Sequence, residues 1–246
     1  VRSSDPVLLK NASSGGVMTA FSKFLLDAGI VSGIITTRMG YSSIDGPRPE
    51  PFIASNISEL MQGQGSKYCP VPLLAIGEQV KNFRGEVALI GTPCQIAGLK
   101  LLQKEGVVWA SKVILTIGNF CGGFRDYRET DNLIARSGFS PKEVVDFRYR
   151  GSGQPGFMSI KSIDGRSHRH GYPGYVRATG VMKHFRCKTC VDATAELADI
   201  SFGDAWLDRF LKSDMTWSLF VVRNTSVLEY WKRFLSQSDV EHENVT

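Results

Sequence analysis

Four of the five cysteines read as parts of one site. Cys94 sits in Gly91-Thr92-Pro93-Cys94-Gln95, directly after the apolar run Val87 to Ile90. Cys121 follows a second apolar run, Val113 to Ile117, and precedes Gly122 and Gly123. Cys187 and Cys190 form a Cys-x-x-Cys pair. Two thiols at strand ends plus a clustered pair far downstream suit an iron–sulfur cluster assembled by the fold; a local finger would keep its ligands close in sequence. In a strand-to-helix turn, the helix dipole and free backbone N–H groups favour a thiolate at Cys94, and Pro93 suits the first helical turn. Cys94 or Cys121 alone reads more readily as a small buried hydrophobe. The Cys187/Cys190 pair leaves three chemistries open: zinc, with His168, His170 and His184 just upstream; a redox dithiol; or half of a cluster site. Zinc leaves Cys94 and Cys121 without a role. Cys69 is left over.

Two polar turns form a second constellation. Ser13-Ser14-Gly15-Gly16 at a helix start presents N–H groups to an anion such as a dinucleotide pyrophosphate. Gly65-Ser66-Lys67-Tyr68 adds a hydroxyl, a cation and an aromatic ring. Each is weak in isolation. A third segment carries Asp199, Asp204 and Trp206 around a short strand; capping and turn formation, or hydrogen bonding near a cofactor with Trp206 as a packing wall, both fit it.

These residues need elements to carry them. Val17, Ala20, Phe21, Phe24 and Leu25 recur at helical spacing, with Ser13 and Ser14 as capping hydroxyls. Ile30 to Thr37 reads as a strand, Tyr41 to Pro51 as a Gly/Pro/Ser-rich loop, Phe52 to Ser55 as another strand, and Ser58 as the cap of a short helix through Met61. Helix Leu73 to Phe83, strand Glu86 to Ile90, helix Gln95 to Lys104 and strand Lys112 to Ile117 then alternate. Cys94 and Cys121 both fall beyond the carboxyl ends of parallel strands, where open α/β folds place ligands. Helix Asp126 to Arg136 follows. Val144 to Tyr149, Met158 to Ile163 and Ser167 to His170 read as strands, the last two joined by an Asp164-Gly165 hairpin turn. The stretch from Gly171 to Phe185 reads as irregular. Strands Ala198 to Phe202 and Leu219 to Val222 and a helix Val227 to Leu235 complete the chain. The expected fold is α/β: a mainly parallel sheet with helices on both faces in the N-terminal half, then an α+β half with antiparallel strands. The expected division is residues 1–84, flavin-binding, and 85–246, carrying the cluster cysteines, in one compact unit.

The chain has 246 residues, enough for one large domain or two small ones, and a formal net charge of +5. No apolar run is long enough to cross a bilayer and none reads as a signal peptide, so no membrane insertion is expected. The cysteines are too few for a disulfide scaffold of this size, which points to a reducing, cytoplasmic setting. The chain starts at Val1 without a Met and stops after Asn244-Val245-Thr246, as a processed product or a piece of a longer polypeptide would. Much of the positive charge lies between Lys161 and Lys188, including Arg166, Arg169, Arg177, Lys183 and Arg186. No recognition motif accompanies it, so nucleic acid is not expected; an anionic cofactor, an acidic electron-transfer protein or a solvated face would each account for it.

Taken in order, the Ser14-Gly15-Gly16 helix start, Gly65-Ser66-Lys67-Tyr68, Gly91-Thr92-Pro93-Cys94-Gln95, Cys121, Arg148-Tyr149-Arg150-Gly151 and Cys187-x-x-Cys190…Ala198-Asp199-Ile200 resemble the beta subunit of coenzyme F-420-reducing hydrogenase and its relatives, among them a hydroxymethyl chlorophyll reductase. The resemblance runs from about Asn11 to Trp206. It implies an FAD-binding α/β core beside a [4Fe–4S] cluster. It also implies hydride transfer to or from a small acceptor and a redox partner such as ferredoxin or another iron–sulfur subunit. Homo- or hetero-oligomers are both compatible with it. It makes Cys94, Cys121, Cys187 and Cys190 the cluster ligands and brings Ser14, Gly15 and Gly16 to the FAD phosphate. Ser66, Lys67 and Tyr68 would line the flavin, where the lysine could stabilise a reduced, anionic ring, with Thr92 and Gln95 nearby. Many relatives carry a further ferredoxin-like segment that is absent here, so one cluster is the most this chain would hold. Cys69 reads as a buried or flavin-adjacent thiol. The acceptor stays open among coenzyme F-420, a nicotinamide, ferredoxin and a ring-containing compound. His168, His170, Asp199 and Asp204 are the candidates for a catalytic acid. Two other functions fit the residues: an electron-relay subunit active only in a complex, and a zinc-stabilised, non-enzymatic binding module.

Overall fold

The computed structural model describes residues 1–153, 156–171, 174, 182–212 and 215–243. Most of the stretch expected to be irregular before Cys187 lies outside these residues, as do Arg177 and the last three positions. The elements in order are β1 (Arg2–Ser3), α1 (Pro6–Asn11), α2 (Val17–Asp27), β2 (Gly33–Ser42), β3 (Gly46–Ala54), α3 (Ile57–Gln62), a 3₁₀ turn Leu73–Ile76, α4 (Gly77–Asn82), β4 (Val87–Gly91), α5 (Pro93–Lys104), β5 (Val113–Asn119) and α6 (Tyr127–Arg136). Then come β6 (Val144–Arg148), β7 (Phe157–Ser162), β8 (Ser167–Gly171), α7 (Phe185–Lys188), β9 (Ile200–Asp204), α8 (Asp208–Leu211), β10 (Ser218–Val222), α9 (Thr225–Gln237) and β11 (Val240–Glu241).

The main sheet has the order β10-β9-β5-β4-β2-β3. Its four central strands, β9, β5, β4 and β2, run parallel, and both edge strands pair antiparallel. The fold is therefore mixed α/β. β2 and β3 come from residues 1–84 and the other four strands from 85–246, so one sheet joins the two segments. Successive strand residues face opposite sides. Ile34, Ala88, Leu115 and Ile117 pack with Phe21 and Phe24 of α2 and Trp231 and Phe234 of α9. Their neighbours Ile35, Val87 and Leu89 pack instead with Leu73, Ile76, Ile96 and Leu99. A smaller antiparallel sheet, β6-β7-β8, buries Phe147, Tyr149, Met158 and Ile160 with Cys69 and α6.

Three local expectations are corrected. Tyr41 to Pro51 is not a loop: β2 and β3 form a long hairpin with the turn at Ser43-Ile44-Asp45. Pro47, Pro49 and Pro51 alternate along β3 opposite Tyr41, Met39 and Thr37. Alternate residues turn their N–H positions to the same side, and an edge strand can leave that side unpaired, so the prolines cost no ladder bond. The short helix α3 is capped by Asn56, whose Oδ1 accepts from Glu59 N at 3.0 Å, and not by Ser58. Ser13 and Ser14 do not cap α2, whose N-cap is Gly16 at φ 72° with no side-chain cap. The pairing of β1 with β11, which joins the chain ends, has too few residues to show any periodicity.

Asp199, read above as either structural or functional, ties three segments together. Its Oδ2 accepts from Thr116 N at 2.8 Å and Thr116 Oγ1 at 2.6 Å, and its Oδ1 accepts from Asn224 Nδ2 at 2.8 Å. The carboxylate thereby locks β5 to the start of β9 and to the cap of α9. Asp199→Ala strands these donors, and we expect a loss of about 3 kcal/mol of folding stability. The check is a lower urea midpoint at unchanged slope; a midpoint within error of the unaltered chain would contradict the structural role.

Candidate functional site

The parallel strands end on one edge, and a cavity of about 530 Å³ lies there. That volume is within the range of small-molecule and cofactor sites. Its wall includes Gly91 and Asn119 at the ends of β4 and β5, Asp204 at the end of β9, and Thr36 and Thr37 in β2. The first turn of α2 and the whole segment from Gly63 to Pro72 complete it.

The α2 end of the cavity is built to meet a hydrogen-bond acceptor. The first N–H groups of a helix have no acceptor within the helix, and here no side chain caps them. Val17, Met18 and Thr19 line the cavity beside Gly16. Positive φ at Gly16 turns the chain sharply into the helix, and the absence of a Cβ makes that conformation accessible. Ser13 Oγ accepts from Ser66 N at 3.2 Å, which joins the two polar turns that the sequence separates. Ser14 Oγ is 3.0 Å from Ser218 Oγ. Gly15 is buried behind the wall: its N–H donates to Ser218 Oγ at 3.0 Å. Gln64, also in the wall, donates from Nε2 to Leu8 O at 3.1 Å, while its buried Oε1 has no protein partner.

The thiols gather at the opposite side. Gly91 and Gly118 are register partners in β4 and β5, and Cys94 and Cys121 each come three residues later. Both line the cavity, Cys94 exposed and Cys121 half-buried. Thr92 N donates to Gln95 Oε1 at 2.9 Å and Gln95 Nε2 to Val71 O at 3.1 Å, so this pair fixes the start of α5 and the neighbouring wall. Cys187 and Cys190 arrive through backbone pairing. Cys121 N donates to Ala193 O at 2.9 Å, His184 N to Phe124 O at 3.2 Å, and Arg125 bridges Lys183. This lays Cys187 against Gly123, where an added Cβ would stand 2.9 Å from the Cys187 Cβ. Burial pushes the Cys121 thiol up; the Gly123 N–H opposes that, and the charges of Cys94, Cys187 and Cys190 each add to it. The four sulfurs are thus electrostatic neighbours. Among the described residues, however, no three His, Cys, Asp or Glu side chains already stand in metal-binding geometry. His168 and His170 are on β8, away from the cavity wall, whereas His184 lies beside the thiols: its ring stacks on Phe124 at 5.3 Å and its carbonyl accepts from Cys187 N at 3.0 Å. The set is one of soft thiolate donors, which suits an iron–sulfur cluster and equally a thiolate zinc site. Metal sites of this kind close as the metal binds.

The sequence places Arg150 in the Arg148-Tyr149-Arg150-Gly151 motif without giving it a role, and leaves Asp204 between turn formation, hydrogen bonding near a cofactor and a catalytic acid. Asp204 lines the cavity, and the buried Arg150 donates from Nη1 to its Oδ2. The signal was the Arg148-Tyr149-Arg150-Gly151 motif itself, in which Tyr149 and Arg150 are both buried.

The chain matches the family described as "Coenzyme F420 hydrogenase/dehydrogenase, beta subunit", its N-terminal part over residues 1–77 and its C-terminal part over 85–246. It is 27% identical over 223 residues to coenzyme F420 hydrogenase subunit beta of Methanothermobacter thermautotrophicus, covering 87% of this chain and 75% of that protein. It is also 27% identical over 203 residues to the coenzyme F420-dependent sulfite reductase of Methanocaldococcus jannaschii, covering 77% of this chain and 30% of that protein. In fold it is similar to a chain of the F420-reducing [NiFe] hydrogenase complex from Methanosarcina barkeri. The TM-score is 0.73 at 23% identity, covering 96% of this chain and 77% of that one.

Lys67 is the cation of the cavity wall. Its Nζ turns back onto the carbonyl oxygens of Gly63 and Gln64, at 2.5 and 3.4 Å. Desolvation first, then the charge of Arg148, lower its pKa from 10.5 to about 7, against a small opposing effect of Cys69. Folding therefore disfavours the protonated amine. The penalty is full below about pH 7, where both folded and unfolded chains are protonated. It fades as pH rises toward 10.5, where both are neutral. Lys67→Met is expected to stabilise the fold near pH 7, with a gain that shrinks steadily toward pH 10.5. Paired urea titrations of the two chains across this range check it; a gain that stays constant or grows with pH would contradict the buried-amine assignment.

Proposed function

This chain belongs to the coenzyme F420 hydrogenase/dehydrogenase beta-subunit family, and from that premise we propose that it is an iron–sulfur flavoprotein oxidoreductase. It binds FAD and one [4Fe–4S] cluster and passes electrons between a redox partner and a small acceptor. Bound FAD supplies two-electron hydride chemistry, and the cluster supplies electrons one at a time. The observation that carries this reading is the shared wall. Cys94 and Cys121 line the same cavity as the uncapped N-terminus of α2 and the Ser66-Lys67-Tyr68 turn.

Each residue set then has a task. Cys94, Cys121, Cys187 and Cys190 hold the cluster. Ser14 and the N–H groups that follow Gly16 meet the phosphates, with Gly15 holding that turn against Ser218. Ser66, Lys67 and Tyr68 border the flavin ring, and Thr92 and Gln95 keep the start of α5 in place beside it. An amine whose pKa is near 7 can carry or release a proton at the ring edge near neutral pH. Cys69 stays a thiol: burial pushes its pKa up to about 11. The redox partner is ferredoxin or another iron–sulfur subunit, in a cytoplasmic setting. The related proteins named above are hydrogenase or reductase components, which supports electron transfer as the task of this chain.

The zinc-module reading draws no support from His168 and His170, which sit on β8 away from the cavity wall. An anaerobic absorption spectrum with analysis of released flavin, iron and sulfide separates the two. FAD and about four irons per chain are expected. Cys94→Ser should lose most of the iron, while Cys69→Ser keeps it. Stoichiometric zinc without flavin, or full iron in Cys94→Ser, would overturn the assignment.

A further inference from the structure

Arg150 has no place in the reading above, yet it joins three parts of the cavity wall. Its side chain is 5% exposed. Nη1 donates to Asp204 Oδ2 at 2.5 Å and to the Tyr68 hydroxyl at 3.4 Å, and Nη2 donates to Ser13 O at 2.7 Å. The guanidinium also lies 5.6 Å from the centre of the Trp206 ring. Ser13, Tyr68 and Asp204 all line the cavity, whereas Arg150 stands behind them. One guanidinium therefore separates the Asp204 carboxylate from the turn that leads into α2.

That placement poses an electrostatic problem. Asp204 puts a negative charge in the wall close to the helix end assigned to phosphate. An unpaired carboxylate there would repel the ligand with little water to screen it. Resting on the flavin reading, we propose that Arg150 is a positioning residue. It neutralises Asp204 and ties the Ser13 turn to Tyr68, so that this end of the cavity admits a diphosphate-bearing cofactor. Burial opposes the Arg150 charge, but Tyr68 and Asp204 outweigh it and hold the guanidinium protonated. The five donors of a fixed planar fork suit this three-way grip, which a lysine can copy only in part.

Riboflavin has the flavin ring without the ADP half of FAD, so comparing the two affinities separates ring binding from that half, and removing the Asp204 charge then isolates the electrostatic role. The full chain and its variants would be stripped of flavin, and each ligand titrated by fluorescence quenching. Arg150→Met is expected to weaken FAD by at least about tenfold more than riboflavin. Arg150→Met combined with Asp204→Asn should restore most of the FAD-to-riboflavin ratio, because the repelling charge is gone. Asp204→Asn alone should leave that ratio unchanged or raise it, which keeps the test open if Arg150→Met does not fold. Equal weakening of both ligands in Arg150→Met, no recovery in the double variant, or a selective loss of FAD in Asp204→Asn would each overturn the proposal. An unaltered chain that takes up neither flavin would instead remove the flavin reading itself, and that failure appears before any variant is made.

Discussion

The parallel register of β2, β4, β5 and β9 is the constraint on which the site depends. Parallel neighbours cannot be joined by tight turns, so β4 and β5 leave the sheet at the same edge and the chain returns to the next parallel strand through a crossover. The segments that follow the strand ends must therefore meet, however far apart they lie in the chain. Cys94, Cys121 and Asp204 share a wall because Gly91 pairs with Gly118 and Gly118 with Ser201. The buried faces make this arrangement rigid: Ile34, Leu115 and Ile117 pack on one side, and Ile35, Val87 and Leu89 on the other. A shift of one residue in any of these strands would exchange the side chains that fit the two cores and break both packings. Register is thus enforced by the core, and the cavity inherits its geometry from it.

Much of this was legible in the sequence because it rests on local pattern. The alternation of apolar strands and amphipathic helices from Leu73 to Asn119 follows from periodicity, and so did the location of Cys94 and Cys121 beyond strand ends. The β2–β3 hairpin was not legible. Pro47, Pro49 and Pro51 read as loop residues, and only the position of β3 at the sheet edge, a tertiary fact, makes them compatible with a strand. The serines before α2 failed for a related reason. Ser13 and Ser14 are good caps in isolation, but their hydroxyls are taken by Ser66 and Ser218. The nearness of Cys187 to Cys121 also depends on long-range pairing, between Arg125 and Lys183 and between Cys121 and Ala193. Arg150 shows the same limit, since a basic residue reveals its partners only when the chain is folded.

The charges of the cavity are arranged in an unexpected way for a site assigned to an anion. Its cation, Lys67, is held near the point of losing its proton, and its carboxylate, Asp204, is already paired. Side-chain charge therefore contributes little net attraction at this edge. On the other side, burial first and then the charges of Cys94, Cys187 and Cys190 push the Cys121 thiol up, so that side adds no positive charge. Attraction for an anion must come from groups that carry no formal charge, and the first turn of α2 is the one oriented for it.

Gly16 makes sense in that light. A serine or aspartate at the cap would satisfy the first N–H groups within the chain and contribute about 1 kcal/mol to the helix. The same side chain would then compete with any ligand for those groups. With Gly16 the helix forgoes its cap and relies on packing: Val17, Phe21 and Leu25 are fully buried, and Phe21 meets Trp231 and Phe234 edge-on. The aromatic cluster on one face of the sheet thereby permits an uncapped helix end at its edge. In this way a feature of the core, remote from the cavity, leaves the first N–H groups of α2 without a side-chain cap where they meet the cavity wall.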